Sequence, residues 1–130
     1  ADVDMLLVAP NGRGAILMSD AGGVNDVSGI TFTLHDGAAS PLPEPLVSGT
    51  FRPTNIAQGN PDIFPAPAPK GIFHSDLSVF KGGNPNGVWR LFVVDNLPRF
   101  DSGSVERWSL RITARIKVRV KRRRTRKRRS

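Results

Sequence analysis

The sequence predicts an all-β sandwich, and three observations carry that prediction. Gly (13) and Pro (11) cut the chain into short apolar runs, which suits strands and turns better than helices. Two segments alternate with a period of two: Trp89, Leu91 and Val93 share one face, and Trp108, Leu110 and Ile112 share one face with Arg107, Ser109 and Arg111 opposite. That period marks a half-buried strand. No stretch carries the 3.6-residue apolar period of an amphipathic helix, and no internal repeat is present.

The elements follow in order along the chain. A first strand is expected at about Val3 to Ala9, then a turn at Pro10-Asn11-Gly12. Asn-Gly supplies the positive φ values of a tight hairpin. A second strand covers about Ala15 to Met18 and ends at Gly22-Gly23; a third covers Ile30 to Leu34, with Ile30, Phe32 and Leu34 on one face. From about His35 to Ser75 the chain is Pro-rich and cannot form central sheet, because Pro has no N–H for a ladder. Thr50 to Arg52 reads as a short edge strand within it, and Pro65 to Pro69 suits a stiff polyproline segment. Leu77 to Phe80 reads as a short strand or turn before a closing hairpin over Asn84 to Ile112. The core expected from this pattern holds Leu7, Phe32, Trp89, Leu91, Val93, Trp108 and Leu110.

A chain of 130 residues supports one domain with a core of its own. It has no Cys, which excludes a disulfide framework and a thiolate zinc site. No apolar run approaches the roughly 18 residues of a membrane helix. The opening ADVDMLLVAP has no basic region and only a short apolar run, so it does not read as a secretory signal. It reads instead as the start of a piece of something longer. The net charge of +8 averages two unlike parts: Arg115 to Ser130 hold 11 of the 19 basic residues and no acid, leaving 8 basic and 11 acidic groups, net −3, in the first 114. The expected organisation is therefore a mildly acidic domain over 1–114 and a basic tail over 115–130, extended or disordered.

The spacing G-x-W-x-L-x-V-x-D (Gly87, Trp89, Leu91, Val93, Asp95) followed by G-x-x-x-x-W-x-L (Gly103, Trp108, Leu110) resembles the closing hairpin of the P domain, also called the P/Homo B domain. That domain follows the catalytic domain in subtilisin-like proprotein convertases. The opening DVDMLLVAPNGRG is similar to the family's first conserved strand and turn, with Asp2, Leu7, Pro10 and Gly12 in step and Val3 in place of Leu. The segments SGTFRPTN, FPAPAP and NPNGVW look like the bacterial branch, and the likeness spans about Asp2 to Ile112. The resemblance implies a jelly-roll β-sandwich of the galactose-binding-domain-like type. It implies further strands before the one that opens here, so the chain is read as truncated at its N-terminus. It also implies a secreted or cell-surface setting and a subtilisin-like catalytic domain in the same polypeptide as partner. The basic tail lies outside the family pattern.

Four groups of residues could carry chemistry. Serine-protease catalysis needs an Asp, a His and a Ser held together. The two His, His35 and His74, stand in no subtilase-like motif, and there is no G-x-S-x-G elbow; the chain is expected to be non-catalytic. Calcium takes six to eight oxygens from flexible loops. Asp20, Asp36, Asp95 and Asp101 lie near strand ends and are the candidate ligands, with Asp26 nearby in kind, while turn capping is the plainer role for such side chains. Some members of the resembled family bind calcium. Trp89 and Trp108 could form a sugar or partner platform, but their aliphatic companions argue for core.

The tail is the fourth group. Alternation continues from Trp108 through Ile116, Val118 and Val120, longer than a usual strand. Lys121, Arg122, Arg123, Arg124, Arg126, Lys127, Arg128 and Arg129 then place eight charges in nine residues. Such density suits an anionic polymer or an anionic membrane surface, a nuclear-localisation-like patch, or simply a charged terminus; Arg126 to Arg129 also resembles a furin-type cleavage site. No aromatic residue interleaves with the charges, so base stacking is not indicated.

Three functions compete on these grounds. The first is a non-catalytic P domain that stabilises or regulates a serine endopeptidase. The second is a stand-alone secreted β-sandwich that binds an adhesion partner or ligand through the loops of 35–75. The third is a polyanion binder acting through the tail, which steep salt dependence lost on deleting 115–130 would reveal.

Overall fold

The computed structural model describes residues 3–23, 26–56, 62–95 and 103–115. Within them the chain is all-β: six strands and one short 3-10 turn. The strands are β1 (Val3–Val8), β2 (Gly14–Ser19), β3 (Phe32–Leu34), β4 (Gly49–Phe51), β5 (Thr54–Asn55) and β6 (Arg90–Asp95). They form a four-stranded sheet in the order β5-β2-β1-β6 and a two-stranded parallel sheet of β3 and β4. No helix among the described residues is long and apolar enough to cross a membrane.

β1 and β2 form the expected hairpin, but its turn works differently from a two-residue Asn-Gly turn. Asp20 is the only non-glycine described with a left-handed backbone, so Asn11 does not have one. Gly12 alone takes positive φ there, at 88°. Asn11 acts through its side chain, whose Oδ1 accepts the Arg13 N–H at 3.0 Å, and Ala9 N–H donates to Arg13 O at 2.8 Å. The loop is thus longer, with one glycine absorbing the reversal.

The larger sheet packs against a core on each face, with β1 and β2 at the centre. On one, Leu6, Val8 and Ile16 pack with Phe64 and Ala68, joined by Phe73, Phe92 and Val94. On the other, Met18, Ala21, Leu42 and Phe51 pack with Val3, Met5, Phe32, Leu34 and Leu46. The second group includes the inner residues of β3 and β4, so the small sheet covers that side. A β-bulge lets β2 serve both layers. Leu6 is opposite Ile16 and Met5 is opposite Met18, which leaves Leu17 as the extra residue. Ile16 and Met18 would share a face in a regular strand; across the bulge they enter different cores. Gly14 permits close packing at the first core, because a Cβ there would stand 2.8 Å from the Phe73 ring.

Several expected core residues are placed otherwise. Leu7 is buried, and Phe32 is half-buried against the second core. Val93 is exposed at 46% and Leu91 is half-buried, because β6 turns its other face, Phe92 and Val94, to the first core. Leu91 lies opposite Leu7 and Val93 opposite Met5, on the side where the small sheet packs over β1 and β2 without reaching β6. Trp89 is half-buried beyond the end of the sheet. Its ring meets Phe80 edge-to-face at 5.1 Å, and its Nε1 donates to Pro85 O at 2.9 Å. Trp108 and Leu110, with Ile112, are exposed at 46, 39 and 44%. Residues 103–115 form no strand, so the second half of the expected hairpin is not formed and its alternating face gains no cover. Leu77–Phe80 is a 3-10 turn, N-capped by Asp76, whose carboxylate accepts from Ser78 N–H at 2.8 Å. The eight tail residues from Lys121 to Arg129 lie outside the described residues.

Candidate metal centre

Three carboxylates converge where the ends of β1, β2 and β5 meet. Oxygens of Asp4, Asp20 and Asp62 all lie within 4.8 Å of one another. Asp4 interrupts the apolar run of β1 and shares the face of Leu6 and Val8, so its side chain is carried inside; it is 2% exposed. Asp20 follows β2 directly. Its left-handed backbone (φ 52°) turns the chain there, and its N–H donates to Asp4 Oδ1 at 3.3 Å. Asp62 arrives on a loop, two residues before Phe64, and the seating of Phe64 in the first core holds it at the sheet's rim.

The groups around these acids orient them. Ser19 is fully buried, and its Oγ lies 2.7 Å from Asp62 Oδ1 and 3.4 Å from Asp20 Oδ2. A hydroxyl has one proton to give, so the short contact to Asp62 is the bond. Asn55 Nδ2 donates to Asp62 Oδ2 at 3.0 Å, and Ile56 N–H donates to Ser19 O at 3.0 Å, tying β5's end to β2's. The acids therefore sit on a hydrogen-bonded frame, not on free loop tips.

Carboxylates this close repel one another, and burying one of them removes its hydration. A hard divalent cation offsets both costs at once, and calcium accepts this donor set of carboxylate oxygens completed by carbonyls or water.

Of the candidates read from the sequence, Asp20 belongs to this group. Asp36 does not: its Oδ1 accepts the Leu77 N–H at 3.0 Å, a capping role. Asp95 ends β6 opposite Val3, outside the group. Asp101 lies outside the described residues, and Asp26 is exposed. Sequence reasoning missed Asp4 and Asp62. Asp4 had left a trace, a charge on the core parity of a strand; Asp62 had none, being brought in by long-range packing. His35 and His74 are both exposed: His35 Nδ1 accepts from Gly37 N–H at 3.0 Å, and His74 bridges to Ala15 through its backbone.

The hydrogen bonds of Asp76 to Ser78, through side chain and backbone, hold its carboxyl below the ordinary range; Asp36 and Lys81 act the same way, against a small opposing effect of burial.

No family model, curated protein or solved structure matches this chain.

Proposed function

We propose that this chain is a non-catalytic module of the P/Homo B kind, a jelly-roll sandwich that supports a subtilisin-like catalytic domain of the same polypeptide and holds calcium at Asp4, Asp20 and Asp62. The observation that supports it most is the pairing of β1 with β6. The two segments that carry the sequence resemblance, Asp2 to Gly12 and Gly87 to Asp95, supply these neighbouring strands. The Trp108 half of the pattern gives no such support, since 103–115 is not a strand.

The mechanism is linkage. A module that binds only the folded catalytic domain shifts that domain towards its folded state, and an ion that binds only the folded module does the same for the module. At a calcium concentration a hundredfold above the dissociation constant, the gain is about 2.7 kcal/mol. Calorimetric melting with and without millimolar calcium tests the ion site. The transition should rise with calcium in the native chain and stop responding in Asp62→Asn. A melt indifferent to calcium removes the metal from the proposal. The accessory role is tested separately, by thermal inactivation of a subtilisin-like domain encoded in the same reading frame, with and without this module. Equal inactivation rates reject that role.

A further inference from the structure

We propose that the open edge of β6 receives residues 104–112 of a second copy of this chain and that the exchange is reciprocal. Among the described residues, in the order β5-β2-β1-β6, β6 bonds to β1 on one side and ends the sheet on the other. The opposite end of the sheet is the two-residue β5, so β6 is the long edge. An unpaired edge is a template for another strand. The edge is also apolar to one side, with Val93 46% exposed and Leu91 half-buried beside it.

The same chain carries a matching donor. Residues 104–112 alternate, with Trp108, Leu110 and Ile112 on one face, all three exposed, yet 103–115 forms no strand. Charge favours docking: residues 1–95 hold 5 basic and 9 acidic groups, net −4, whereas 104–112 hold Arg107 and Arg111 against Glu106, net +1. Among the described residues of each copy, no strand lies on the far side of β6 and 103–115 pairs with none, so the arm does not lie on its own chain's β6. A two-fold exchange meets both needs in both copies and closes on itself, leaving no β6 edge to recruit a third chain. The main-chain hydrogen bonds of strand addition supply the attachment, and the apolar faces set the register.

The absence of Cys makes the test clean. Chains carrying Val93→Cys are mixed with chains carrying Trp108→Cys, Leu110→Cys or Ile112→Cys, a panel that covers more than one register. All these sites are exposed in the single chain. Mild oxidation and mass spectrometry of the cross-linked peptides then give the pairing, and light scattering gives the mass. The expected result is a particle of twice the chain mass with an interchain cross-link from position 93 to one of the three positions. The proposal is overturned by an intrachain cross-link in a double variant such as Val93→Cys/Leu110→Cys with no interchain product in the mixture, which shows each arm closing its own edge. Position 93 linked to position 93, or no cross-link in any combination, overturns it equally.

Discussion

β1 and β6 are neighbours in one sheet and similar in composition, VDMLLV against RLFVVD, yet their surroundings differ. Every residue from Leu6 to Val8 is buried, and residues on both faces of β1 enter a core. β6 buries neither face fully. The cause is position: β1 has β2 and β6 as neighbours and a packing layer above and below, whereas among the described residues β6 is an edge with one layer. Alternation identifies a strand; which face is covered depends on what the rest of the fold brings over it.

The largest effect that should separate the two regions comes from Leu6→Ala. Leu6 is fully buried, and loss of its side chain should cost about 2–5 kcal/mol in urea unfolding at any protein concentration. Trp108→Ala, at high dilution, should change stability by less than about 0.5 kcal/mol, as surface substitutions do. Its effect should grow with protein concentration if arms are exchanged. A large loss for Trp108→Ala at high dilution would mean the arm is docked within its own chain. Within β6 the contrast should be finer. Phe92→Ala should cost about 1–3 kcal/mol, scaled down for a half-buried ring, and Val93→Ala less than about 0.5 kcal/mol at high dilution. The reverse order would mean that β6 shows its other face to the core.

The smallest effect concerns the loop region. The folded-state pKa of Asp76 is depressed, so its stabilising contribution is complete above the unfolded carboxyl value of about 3.9 and fades as pH falls through the lower folded value. Unfolding curves for the native chain and Asp76→Asn should differ by a constant amount above about pH 5 and converge in stronger acid. A gap that widens on acidification would refute that reading.

Much of the strand inventory was legible in the sequence. β1, β2 and β6 announce themselves by β-branched and apolar runs between Gly, Pro and Asn. β5 was not legible, being two residues fixed by parallel pairing with Met18 and Ser19. The burial of Trp89, Val93 and Trp108 was misjudged for one reason. Companions at i+2 were read as a shared core, but they establish a shared face only. The acid cluster was one-third legible: Asp20 borders a strand end, whereas Asp62 reaches it from 42 residues further along the chain, held by Ser19 and Asn55.

The single extra residue in β2 has a consequence for how the molecule comes apart. Because Leu17 lets Ile16 and Met18 anchor different layers, neither layer can loosen without disturbing the one strand they have in common. The two layers should therefore melt in concert, with calorimetric and van't Hoff enthalpies in agreement. Removing Leu17 would make Ile16 and Met18 adjacent in a regular ladder opposite Leu6 and Met5, so each would keep its own layer and the deletion should leave both cores seated.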